Sequence, residues 1–140
     1  MIGAFGTLFA TVYAAHMLAD HVAGQTDRQA ANKARPGVAG WRALGAHLLG
    51  YHLVLVGMVA LAVVVLGVPL SASGAVGGLA VSVVTHGVWD RRRPVAWVLH
   101  HFRAPEFAAL ADHGLNGMYL ADQSLHVACL WAGCLLAVAL

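Results

Sequence analysis

Charge is the scarcest commodity in this sequence: only 10% of its 140 residues are Asp, Glu, Lys or Arg, where ordinary globular domains carry about a quarter. The three-to-four spacing of a half-buried soluble helix is missing too, because the apolar residues fall in long blocks. Both absences argue against an ordinary soluble domain. There is no Gly-rich phosphate loop, no nucleophile elbow and no Cys-x-x-Cys pair, which removes the usual signatures of nucleotide binding, serine hydrolysis and dithiol chemistry. The two cysteines, Cys129 and Cys134, share one apolar block. On a helix their Cα atoms would lie roughly 8 Å apart, beyond disulfide reach. The first fifteen residues hold no basic residue, so they lack the n-region of a cleaved signal peptide and none is expected.

What the sequence has is apolar length. Hydrophobic residues make up 60% of the chain, and the mean hydropathy is +0.74. Four stretches approach or exceed the roughly 20 residues needed to span a bilayer, which predicts helices over 2–20, 44–68, 70–90 and 119–140. The expected fold is an all-α, four-transmembrane-helix bundle forming one integral membrane domain over 1–140, with the lipid bilayer as its partner. Every Lys and Arg falls in two connections: Arg28, Lys33, Arg35 and Arg42 in the first, Arg91, Arg92, Arg93 and Arg103 in the third. The positive-inside rule places both loops in the cytoplasm and both termini on the outer side. The net charge of +2 then describes membrane anchoring, and no nucleic-acid partner is expected.

The loops carry signals of their own. Thr26 and Gln29 form a capping box for a short helix through Arg35, ended by Pro36 and Gly37. Pro69, Ser71, Ser73 and Gly74 mark the turn between helices two and three. Pro94 and Pro105 punctuate the next loop, where residues 105–113 read as a short interfacial helix closed by Gly114. Gly74 and Gly78, four apart, would let helices approach closely.

The strongest pattern is chemical. His16 and Asp20, His86 and Asp90, Asp122 and His126, and His47 and Tyr51 are each four residues apart, so on helices each pair shares a face. Given the orientation above, all four pairs fall at the cytoplasmic ends of their helices. Histidine nitrogens and carboxylates suit zinc or another first-row divalent ion, and a carboxylate can alternatively orient a histidine through its second ring nitrogen. Ionisable groups inside a bundle are costly and point to function. Against this stands a plainer reading, in which the pairs are interhelical hydrogen bonds or are solvated at the interface. His21 and His52 point about 100° away from their neighbouring pairs, and His100, His101 and His113 read as surface residues.

These residues also occur in a familiar order. The run His16-Met17-Leu18-Ala19-Asp20-His21-Val22-Ala23-Gly24-Gln25-Thr26-Asp27, followed by Ala31-Asn32-Lys33, resembles the opening of the bacterial membrane family called domain of unknown function 3307. The likeness continues in His47-Leu48-Leu49-Gly50-Tyr51, Thr85-His86-Gly87-Val88-Trp89-Asp90-Arg91 and Asp122-Gln123-Ser124-Leu125-His126. The resemblance implies a multi-pass bacterial membrane protein with polar residues at Gln25, Lys33 and Gln123. It also implies an aromatic or aliphatic residue where this chain has His21, and it supplies no activity. A looser likeness to membrane-bound metal-dependent hydrolases is one of fold alone.

The leading expectation is therefore a membrane-embedded metal site, hydrolysing a lipid-like or amphipathic substrate at the cytoplasmic leaflet. His16, His86 and His126 are the expected metal ligands together with Asp20, Asp90 and Asp122. The three aspartates could also orient histidines or activate a metal-bound water, and His47 would be a fourth ligand or an assisting base. Gln25, Lys33, Gln123 and Tyr51 would hold the substrate. Two metal ions are compatible with that many ligands, and zinc is the expected one. Two alternatives stay open: a non-enzymatic, partner-binding protein whose pairs form a polar interhelical lock, and a small carrier, which at this length would need a homo-oligomer.

Overall fold

The computed structural model describes residues 2–140, with Met1 outside them, and is helical nearly throughout. Its elements run α1 (Ile2–Leu18), a π-helical turn (Ala19–Ala23), α2 (Asp27–Asn32), α3 (Gly37–Leu66), α4 (Ala72–Trp89), α5 (Arg93–His101), α6 (Pro105–Ala109), β1 (Ala111–Asp112), β2 (Leu115–Asn116) and α7 (Gly117–Ala139). Three helices, α3, α4 and α7, are long and apolar enough to cross a membrane. The 17 residues of α1 sit at the lower limit of a spanning helix, about 17–25 residues.

Local signals explain most boundaries. Thr26 and Gln29 cap α2 reciprocally, as their spacing predicts. α3 stops at Gly67, which takes the left-handed conformation (φ 62°) that ends helices at little cost only for glycine. The Ser71 side chain accepts from the Gly74 N–H at 2.9 Å to start α4, and Asn116 does the same for Tyr119 at the start of α7. α3 begins at Gly37, well ahead of the apolar block at residue 44, because hydropathy marks lipid immersion and not where backbone hydrogen bonding starts. Two expectations need correcting: α2 ends at Asn32, short of Arg35, and the helix after Pro105 ends at Ala109. A two-strand hairpin follows, pairing Ala111 with Asn116 and Asp112 with Leu115. Positive φ at both His113 and Gly114 turns the chain there and cannot continue a helix.

The bundle interior has two layers. Leu8, Val12, Ala15 and Ala19 of the first helical stretch meet Leu55, Ala62, Leu130, Cys134 and Ala137 in an apolar layer. Below it, on the same inward faces, lie buried His16, Asp20, His47, His86, Asp90 and His126. The outward faces are apolar as well: Leu53, Leu61, Val64, Val76 and Val84 are each more than 60% exposed. So large an apolar surface is a liability in water and a requirement in lipid. α4 and α7 pack closest, through Gly74 and Gly78 against Gly133 and Ala137. A Cβ on Gly74 would collide with the Ala137 carbonyl oxygen, and one on Gly78 would sit 3.1 Å from the Gly133 carbonyl. Gly74→Leu is therefore expected to lower stability in detergent by about 1–3 kcal/mol through overpacking. Gly57→Leu, at a position with open space around it, is expected to cause no such loss; unfolding curves of the two variants check this.

Candidate metal centre

The polar layer is assembled from four helices and two backbone devices. The first device is the π-turn that ends α1. Such widened turns break helical register and recur at functional sites. Here Asp20 is buried while the next residue, His21, is exposed. Gly24 follows, pressed against α3: a Cβ on it would lie 3.0 Å from the Tyr51 Cα, and one on Gly50 would come within 2.9 Å of the Gly24 carbonyl oxygen. That carbonyl accepts from His47 Nδ1 at 3.3 Å. The second device holds the end of α2. Arg91 donates from Nη1 to the Lys33 carbonyl (2.8 Å) and from Nη2 to the Arg35 carbonyl (3.0 Å), with its guanidinium 4.5 Å over the Trp41 ring. Lys33 is thereby turned inward, toward the carboxylates.

At the centre stand His47 Nε2, His86 Nε2, Asp20 Oδ1 and Asp90 Oδ2. His47 Nε2 is 3.0 Å from His86 Nε2 and 3.2 Å from each carboxylate oxygen. His86 Nε2 is 3.3 Å from Asp90 Oδ2 and 3.8 Å from Asp20 Oδ1. A zinc ion with bonds of 2.0–2.1 Å to four tetrahedral ligands needs edges of about 3.3–3.4 Å between them. The five distances scatter around that value. Asp20 Oδ1 and Asp90 Oδ2 are buried, yet neither accepts a hydrogen bond from the described residues. All four atoms converge on one centre, where the two ring nitrogens are also within hydrogen-bond distance of each other.

The hydrogen bonds around the cluster fix the tautomers of His47 and His126, whereas His86 Nδ1 has no partner among the described residues. With Nδ1–H donated to Gly24, His47 presents a lone pair on Nε2. His126 donates Nδ1–H to the Asp122 carbonyl at 2.8 Å, which leaves its buried Nε2 with a free lone pair and no partner among the described residues. Ligating histidines are oriented in this way, with the second nitrogen tied to a carbonyl or carboxylate. A separate relay orients the carboxylates. The Tyr51 hydroxyl donates to His16 Nδ1 (3.0 Å), His16 Nε2 donates to Gln123 Oε1 (3.0 Å), and the Gln123 amide donates to Asp20 Oδ2 (3.0 Å) and Asp122 Oδ2 (3.2 Å). One oxygen of Asp20 is thus used by Gln123, and the other faces the centre.

Two ligand groups emerge: Asp20, His47, His86 and Asp90, all buried, and Asp90, Asp122 and His126. Either group could hold a metal ion. Lys33 borders the first, with Nζ 2.8 Å from Asp90 Oδ1, 3.6 Å from Asp20 Oδ1 and 3.1 Å from His47 Nε2. Three carboxylates against one ammonium leave a deficit of two positive charges when the histidines are neutral. One divalent ion makes up that deficit.

The structure brings together every residue of the expected ligand set, but not in equal roles. His16 has both ring nitrogens occupied, so it orients Gln123 and is not positioned as a ligand. His47, expected as a fourth ligand or an assisting base, lies among the ligand atoms. Tyr51 is fully buried with its hydroxyl given to His16, away from any substrate surface. Lys33 is engaged by the cluster and is not a free headgroup contact. Gln25 donates to the Asp20 carbonyl at 2.9 Å. His21 stays outside, near the Tyr119 hydroxyl at 2.6 Å, and His100, His101 and His113 are exposed. Sequence reasoning missed the buried pair His52–Ser82, joined at 3.0 Å, and the Arg91 clamp; only the proximity of Arg91 to Asp90 hinted at the latter.

The chain matches no family model, no curated protein and no solved structure. The chemistry of the centre therefore rests on its own geometry.

Proposed function

We propose that this chain is a four-span protein of the bacterial cytoplasmic membrane, with both termini outside, that holds a zinc ion between Asp20, His47, His86 and Asp90 near its cytoplasmic face. The carrying observation is the convergence of those four buried ligand atoms near tetrahedral spacing, with the two carboxylate oxygens lacking a hydrogen-bond donor among the described residues. Membership of domain of unknown function 3307 belongs to the same proposal, supported by the ordered motifs from His16 to His126. The fourth span is α1, whose inward apolar stripe and outward apolar surface match those of α3, α4 and α7. The orientation is supported by the basic residues, all of which lie in the two connections at the cluster's end of the bundle.

The proposed activity is hydrolysis of a lipid-like, amphipathic substrate. A divalent ion at the cluster would supply a Lewis acid and, where a coordination position stays open, a water of lowered pKa. The side of the cluster formed by Asp122 and Gln123 is only partly buried. It adjoins a groove of about 610 Å³ between α1 and α7, lined by Phe9, Tyr13, Met17, Tyr119, Gln123 and Trp131 among others. An apolar tail in that groove would bring its polar head toward Gln123 and Asp122. A second reading has its own observation: Lys33 Nζ already bonds Asp90 and faces His47 and Asp20. In that reading the cluster is a polar lock, with Lys33 as counter-ion and one proton shared by His47 and His86.

Two experiments test the proposal. Reporters fused at Ala39 or Pro105 are expected to read cytoplasmic and one at Ser73 external; a cytoplasmic signal at Ser73 contradicts the orientation. Protein purified in detergent is expected to contain zinc, to lose most of it in His47→Ala or His86→Ala, and to keep it in His100→Ala or His113→Ala. Free zinc at a hundred times its Kd is expected to raise stability by about 2.7 kcal/mol. A wild-type protein that holds no zinc and gains no stability from it favours the lock.

A further inference from the structure

Asp90 belongs to both ligand groups, and this sharing extends the metal-site reading on which the present inference rests. Asp90, Asp122 and His126 offer ligand atoms that all lie within 4.8 Å of one another. His126 is 2% exposed, and its Nε2 has no hydrogen-bond partner among the described residues. The hydrogen bond from its Nδ1 to the Asp122 carbonyl leaves that Nε2 as a lone pair, the form that binds a metal. A neutral imidazole nitrogen buried without a donor forfeits a hydrogen bond it would make in water. The lock reading supplies no donor for it, because the Lys33 ammonium is engaged by Asp20, Asp90 and His47.

We propose that Asp90, Asp122 and His126 bind a second divalent first-row ion, with the Asp90 carboxylate bridging it to the first. The two positions differ in kind. The first has four protein ligands, the closed set of a structural zinc site; the second has three, the set of sites that keep a position open for water or substrate. The open position falls on the side of Asp122, whose side chain is 18% exposed and whose carboxylate is steadied by Gln123, the residue at the end of the α1/α7 groove. Carboxylate-linked ion pairs of this kind clamp both the attacking and the leaving oxygen in hydrolysis. With both ions bound, three carboxylates and Lys33 leave the centre at a charge of +2, which favours an anionic oxygen, hydroxide or a substrate headgroup, at the open position.

The test is a zinc count on the full chain in detergent, stripped with chelator, reloaded with zinc chloride and freed of excess metal. Wild type is expected to hold two ions per chain, and His126→Gln and Asp122→Asn one each. Asp122→Asn removes charge with almost no change of shape, so it keeps the test valid if His126→Gln folds poorly. One ion in wild type, unchanged in both variants, overturns the second site and leaves the first standing. Two ions in wild type and in both variants also overturn it, by placing the second ion elsewhere. No ion in wild type overturns both sites.

Discussion

Burying Asp20 and Asp90 at one end of an apolar bundle sets the terms for the rest of this structure. Each carboxylate moved out of water costs on the order of several kcal/mol unless charge and hydrogen bonds replace its hydration. The chain supplies one ammonium, Lys33, and a ring of histidines. With neutral histidines that is too little charge for three carboxylates, and among the described residues it leaves two carboxylate oxygens, the Gln25 amide oxygen and two imidazole nitrogens, His86 Nδ1 and His126 Nε2, without partners. Divalent metal accounts for the deficit and for the convergence of the ligand atoms with one assumption. The lock reading accounts for Lys33 but not for His126.

The surrounding architecture serves the aim of those atoms. Gly24 and Gly50 let the π-turn segment sit against α3, so that a backbone carbonyl can fix the His47 ring. Gln123 spends both amide hydrogens on two carboxylates, and Tyr51 and His16 hold Gln123 in turn. Arg91 bonds the backbone at the end of α2 and keeps Lys33 at the cluster's edge, where its ammonium faces the same His47 lone pair that a metal ion would use. The close α4–α7 contact through Gly74, Gly78 and Gly133 fixes His86 and Asp90 relative to Asp122 and His126.

Much of this was legible in the sequence. The i,i+4 spacing of His16 with Asp20, His86 with Asp90 and Asp122 with His126 gives a shared face on any helix, and the basic loops give the shared end. Gly74 and Gly78 marked a helix contact that the structure places between α4 and α7. What stayed hidden depends on tertiary context. Helical periodicity cannot reveal the π-turn, which inserts a residue into that very period. His16 carries the same spacing as the ligands, and only the positions of Tyr51 and Gln123 show that both its nitrogens are taken. Lys33 looks like a headgroup contact until Arg91, far away in sequence, is seen to turn it inward. His52 points off the His47 face of its own helix, yet α4 lies on that side and offers Ser82. The hairpin after α6 arises from a non-glycine residue, His113, at positive φ, which residue type alone does not announce.

X-ray absorption at the zinc edge, on wild-type protein in detergent, tests the central claim most directly. The account predicts imidazole scattering and nitrogen or oxygen ligands at about 2.0–2.2 Å, with the imidazole signal reduced in His47→Ala and unchanged in His113→Ala. A spectrum without imidazole, with sulfur ligands at about 2.3 Å, or indifferent to His47→Ala would contradict it.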